Sequence, residues 1–102
     1  MAQSFVTGVV IGTGAAMNVQ GDKVGFRPSV VRVHNRTRNS FAIWTDRMPA
    51  ASMQKVVDSG AGTTDVSFVT ANGVTQLCGG FTLGADANLN GAGDEIHFEC
   101  WG

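Results

Sequence analysis

The sequence predicts an all-β fold: a compact antiparallel β-sandwich, jelly-roll-like in character, of about eight short strands in a single domain covering residues 1–102. Three observations carry this expectation. Apolar residues recur with a period of two along most of the chain and almost nowhere with helical spacing. Glycine is abundant (14) and proline scarce (2), a balance that suits short strands joined by tight turns. A chain of 102 residues is near the commonest domain length and long enough to bury one core.

The strands are read in order. "SFVTGVVIG" and "AAMNVQ" supply the first two. In "SVVRVHN", Val31 and Val33 fall on one face and Arg32 and His34 on the other, the pattern of a half-buried strand, with Pro28 just before its entrance. "NSFAIWTD" sets Phe41 and Ile43 against Ala42 and Trp44, so it is expected to be covered on both faces. The four residues "NRTR" between these runs form a hairpin loop. "PAASMQKVV" is read as a loop with an extended segment, because Val56 and Val57 prefer strands, although Pro49 would suit the first turn of a helix. "TTDVSFVT" alternates again and is followed by "ANG" at 71–73, a turn signal. "GVTQLCG" and "FTLG" read as one strand with a bulge or sharp bend at Gly79-Gly80. The closing run "EIHFECW" places Ile96, Phe98 and Cys100 on one face and His97, Glu99 and Trp101 on the other.

Charge is sparse and unevenly placed. Charged residues make up 15% of the chain, so much of its surface is Ser, Thr, Asn, Gly and small apolar side chains, a composition that favours packing against something. Lys23, Arg27, Arg32, Arg36, Arg38 and Arg47 lie in the first half, the remaining base is Lys55, and the acids Asp58, Asp65, Asp86, Asp94, Glu95 and Glu99 follow it. Each charge taken singly reads as a solvated side chain; together they suggest complementary surfaces through which copies could meet in a ring. The N-terminus lacks a basic region followed by an unbroken apolar run, and no stretch approaches the ~20 apolar residues that cross a bilayer, which predicts a protein made in a reducing cytoplasm without a membrane partner. Cys78 and Cys100 are expected to be small buried hydrophobes.

The nearest approach to a chemical motif is "DANLNGAGDEIH", residues 86–97. Read as a calcium loop, it offers Asp86, Asn88 and Asn90 at the first three ligand positions, Gly91 as the turn glycine and Asp94 at the ninth. The twelfth position, which should close the site with a bidentate Glu, is His97, and strand patterns flank the loop in place of helices. The loop is therefore expected to turn the chain, with Asp and Asn bonding nearby backbone, and no metal or cofactor is expected. "GTGAAM" at 12–17 has Met17 where a dinucleotide fingerprint needs its third glycine. His34 and His97 are the two histidines, too few for an evident catalytic constellation, so no catalytic residues are assigned. The basic run "RVHNRTR" has no interleaved aromatic residues for base stacking, and no nucleic-acid partner is expected.

Three segments together resemble a known family: "GFRPSVVRVHNRT" (25–37), "FAIWTDRM" (41–48) and "TANGVTQLCGGFTLGADANLNGAGDEIHFECW" (70–101). Their order is similar to that of small virion proteins of tailed bacteriophages, with a G-F-x-P-x-x-V-x-V-x-N opening, a Trp segment ending in Met, a late G-F-T-x-G-x-D-x-x-x-N loop and a closing aromatic strand. The resemblance implies a β-sandwich capsid decoration, or cement, protein that attaches to the outside of an assembled shell, commonly as a homotrimer, with the major capsid protein as partner. Arg32, Trp44, Met48 and Trp101, read as outward side chains, are the candidate contact residues. The rival expectation is a tail or fibre-tip module in which Trp44 or Trp101 stacks on a host-surface sugar.

Overall fold

A computed structural model describes residues 4–60 and 62–102. They form eight strands: β1 (Phe5–Ile11), β2 (Met17–Gln20), β3 (Val30–Asn35), β4 (Ser40–Thr45), β5 (Ser52–Gly60), β6 (Thr63–Leu77), β7 (Gly80–Leu83) and β8 (Glu95–Trp101), with one 3-10 turn at Gly21–Lys23. All pairings are antiparallel, and the strands lie in one sheet of order β1-β8-β3-β4-β5-β6-β7-β2. The fold class is that expected from the alternation, with a difference in construction: the two layers belong to one continuous sheet that bends over on itself.

The bend lies in β6. Met53 pairs with Val69, whereas the adjoining Ser52 pairs with Val74, so residues 70–73 are extra on the β6 side. "ANG" sits in this bulge and does not close a hairpin as its composition suggests. Asn72 adopts φ 60°, and Gly73 donates its N–H to the Ala51 carbonyl at 2.9 Å. Beyond the bulge, β6 pairs with β7 from Val74 to Leu77 and β7 pairs with β2, making a short flap. Gly79 is not an interruption within a strand; Cys78 and Gly79 are the two loop residues of the β6–β7 hairpin, since Leu77 pairs with Gly80. The flap lies over the six-stranded layer: the Phe81 and Phe98 rings meet edge to face at 5.7 Å although β7 and β8 are far apart in the strand order.

Between layer and flap lies the core. Val31 and Val33 of β3 and Ile96, Phe98 and Cys100 of β8 point into it, as their alternation predicts, against Val19, Val74, Phe81 and Leu83 from the flap. Leu89, the one large apolar side chain between Asp86 and Asp94, is fully buried as well. Three expectations are corrected. Trp44, read as an outward contact residue, is a core side chain 3% exposed, with its Nε1–H donated to the Pro49 carbonyl at 3.3 Å. The opposite face of β4 is only partly covered, Phe41 being exposed. Cys78 is exposed in its hairpin turn while Cys100 is buried. The segment after Pro49 is extended throughout β5, as its β-branched residues favour.

Candidate interaction face

Because side chains alternate across a sheet, the strands that fill the core with one set of residues present the other set to solvent. The registers place Val9, His97, His34, Phe41, Val56 and Val66 in one row across β1, β8, β3, β4, β5 and β6. The neighbouring row runs Thr7, Glu99, Arg32, Ile43, Gln54 and Phe68. The first row therefore has its two imidazoles between apolar flanks, whereas the second runs from Thr7 through the charged Glu99 and Arg32 to an apolar end at Phe68. Phe5, Val9 and Ile11 on one flank and Val66 and Phe68 on the other are each at least half exposed.

The centre of the face is a set of polar contacts made by two carboxylates of β8 to Arg32 and His34 of β3, to Arg36 in the turn after β3 and to His97 of β8 itself. Glu99 Oε1 lies 3.3 Å from His34 Nε2 and 3.8 Å from Arg32 Nη1, and Glu95 Oε1 lies 2.7 Å from His97 Nε2 and 3.3 Å from Arg36 Nη1. Glu95 is held below the usual carboxylate range, chiefly by the hydrogen bond from His97 and next by that from Arg36. These groups are solvent-accessible, so the pairs add little to stability. Their larger effect is to hold the side chains in place. His34 also stacks on Phe41, with centroids 5.8 Å apart and planes at 29°. A shallow groove of about 730 Å³ opens here, with His34, His97, Val9 and Phe41 among the residues that line it.

The acidic loop before β8 is fastened by cations from the basic half. Asp86 Oδ1 accepts the Asn88 backbone N–H at 2.9 Å, an Asx turn of the kind its composition predicts. Lys55 Nζ, reaching from β5, lies 2.7 Å from Asp86 Oδ2 and 3.1 Å from Asn88 Oδ1. Asn90 is buried and bonds the Thr13 N–H and the carbonyls of Ala15 and Gly84. Asp94 Oδ2 accepts from Asn35 Nδ2 at 2.8 Å, Arg38 Nε at 2.6 Å and the Gly91 N–H at 3.1 Å. The Asn35 amide is the main cause of its lowered pKa; burial acts in the opposite direction, and Arg38 and Gly91 add to the lowering. Gly91 leaves room for this arrangement, since a Cβ there would come within 2.7 Å of the Arg38 guanidinium.

The structure thus redistributes the contact residues expected from the sequence. Arg32 and Trp101 share the outer face, Arg32 beside Glu99 and Trp101 against the Phe5 ring at 5.2 Å. Trp44 lies on the opposite, core side of the sheet, and Met48 is half buried against the core in the turn after β4. The flanking Phe5, Val9, Ile11, Val66 and Phe68 are members of the face that the sequence reading missed. Their signal was present as alternation, but in β1 both sets of alternating residues are apolar, so periodicity could not say which set faces out. The uneven charge along the sequence has a purpose inside one chain: Arg32, Arg36, Arg38 and Lys55 pair with Glu99, Glu95, Asp94 and Asp86. Compared with protein-family models, with curated proteins and with solved structures, the chain has no match.

Proposed function

We propose that this protein is a structural subunit of a tailed-bacteriophage virion, a decoration protein that binds the outside of the assembled capsid through the outer face of its six-stranded layer. The observation that carries this reading is the exposure of Phe5, Val9, Ile11, Val66 and Phe68 on one side of a single sheet, flanking a centre of paired charges. Apolar residues gathered on one face mark a contact surface, and the charges at its centre are already partnered with one another, which limits the cost of covering them. The resemblance in segments 25–37, 41–48 and 70–101 supplies the kind of partner. Such a subunit stabilises a shell by binding the assembled state in preference to free capsid protein, and several modest contacts per oligomer act together through effective concentration. The sugar-binding alternative loses its principal support, because Trp44 is buried and Trp101 is partly covered by Phe5.

The test is cosedimentation of the purified protein with expanded, undecorated shells of the phage that encodes it. Hundreds of copies per particle are expected. A Val66→Ser/Phe68→Ser variant, altered only at exposed positions, is expected to need roughly tenfold more protein for half-saturation, the effect of losing about 1.4 kcal/mol of contact. Failure of the wild-type protein to sediment with shells at any concentration tested would overturn the reading.

A further inference from the structure

The edge of the sheet at β1 carries an inference that does not depend on the virion reading. β1 is a terminal strand of the order, and β8 is its one partner among the described residues. Its other side is a row of backbone donors and acceptors open to solvent. Proteins guard such edges with charge, proline, bulges or brevity. β1 has none of these: its seven residues, FVTGVVI, are uncharged and pair with β8 without a register shift. The other edges differ. The first half of β6 carries Asp65, and β2 is four residues long.

Which groups face outward follows from the hydrogen bonds at the two ends of the β1–β8 ladder. Gly102 donates to the Ser4 carbonyl at 2.9 Å, and Gly12 donates to the Asp94 carbonyl at 2.8 Å, both in line with the β1–β8 register. In an antiparallel ladder hydrogen-bonded positions alternate. Val6, Gly8 and Val10 therefore turn their backbone groups toward β8, and Phe5, Thr7, Val9 and Ile11 turn theirs to the open edge.

We propose that two copies of this chain pair through their β1 edges, antiparallel, about a two-fold axis at Gly8. In this register Phe5 faces Ile11 of the second copy and Thr7 faces its Val9. These are the residues with outward backbone groups, so every open N–H and C=O along the strand finds a partner. Any register that brings outward groups together must set odd positions opposite odd ones; the one centred on Gly8 does so and overlaps all seven residues. The side chains agree with it. The strand reads nearly the same from either end, Phe5 matching Ile11 and Val6 matching Val10 around Gly8. Phe5, Val9 and Ile11 of both copies then join into one apolar stripe on the outer face, and the pair contains no charge to desolvate. The contact is isologous and closes after two copies. A seven-residue edge is small for a specific interface, which places the association in the micromolar range.

Sedimentation velocity over roughly 1 to 200 µM, a range bracketing such an affinity, tests the pairing. The mass of the wild-type chain is expected to rise from 10.6 kDa toward twice that value. Thr7→Pro removes an outward N–H without touching a bond to β8, as proline is tolerated on the open side of an edge strand. Val9→Lys places a charge in the stripe at a position half exposed in the single chain. Both variants are expected to remain monomeric across the range with an unchanged circular dichroism spectrum. A wild-type protein that stays monomeric at the highest concentration, or an assembly whose mass neither folded variant reduces, overturns the proposal.

Discussion

The Lys55 ammonium lies 2.7 Å from Asp86 Oδ2 and 3.1 Å from Asn88 Oδ1, so two side chains that a calcium loop would aim at a metal converge on a lysine from β5. Both members of the ion pair are shielded, with side chains 15% and 9% exposed. Removing one partner from such a pair leaves the other uncompensated, at a cost of about 3–5 kcal/mol, whereas replacing both with neutral groups is far less damaging. Lys55→Met is expected to lower the urea unfolding free energy by that amount, and Lys55→Met/Asp86→Asn to recover most of it. Titration of the wild-type protein with millimolar calcium is expected to give no saturable heat.

Asp94 predicts the response to acid. Its folded pKa is lowered from 3.8, so the carboxylate contributes stability above that value and the contribution is lost as pH falls through the folded pKa. Glu95, lowered from 4.5, acts in the same direction. The thermal midpoint is expected to hold near neutral pH and to fall below about pH 4.5, where the unfolded chain begins to bind protons that the folded chain does not. Asp94→Asn is expected to cost about 1.5–3 kcal/mol at pH 7, the worth of charged hydrogen bonds in a shielded site, and to show a shallower acid decline. Scanning calorimetry from pH 7 to about pH 3 reads both effects.

The two cysteines are expected to react differently. Cys78 is exposed in the β6–β7 turn, whereas Cys100 is fully buried and burial pushes its thiol up to about 12. The thiolate is the reactive form. A disulfide reagent at pH 8 is expected to titrate one thiol in the native protein and both in denaturant, and Cys78→Ser to abolish the native reaction.

The two tryptophans separate core from face. Trp44→Ala removes a buried ring that donates to Pro49, and is expected to cost about 3–5 kcal/mol. Trp101→Ala removes a half-buried ring tilted against Phe5 at the sheet end and is expected to cost about 1 kcal/mol, in line with loss of an aromatic pair. Denaturant melts followed by circular dichroism compare the two directly.

Gly8 ties the edge strand to the core. A Cβ at this position would lie 2.6 Å from the Phe98 ring, so Gly8→Ala forces the ring off its contact with Phe81. Overpacking of this kind costs about 1–3 kcal/mol. The same melts are expected to show that loss, with partial recovery in Gly8→Ala/Phe98→Leu.

Strand existence and facing were legible in this sequence wherever one set of alternating residues was charged. In β3 and β8, Arg32, His34, Glu95 and Glu99 leave Val31, Val33, Ile96, Phe98 and Cys100 as the only set that can be buried without loss of hydration. The 86–97 loop was likewise readable as a turn, because the Asx bond of Asp86 is made between residues two apart. Where both alternating sets are apolar, as in β1 and β4, period alone could not choose a side, and only the closing of the flap over one surface decided that Trp44 is core while Val9 and Phe41 are exposed. The bulge at 70–73 and the burial of Leu89 were decided in the same way. The ion pairs from β3, its hairpin loop and β5 to the 86–99 segment also required tertiary structure, since each needs its partners in contact and these partners come from distant parts of the chain. Local bonding and alternation are properties of neighbouring residues; which apolar face is covered and which charges meet depend on where the sheet bends.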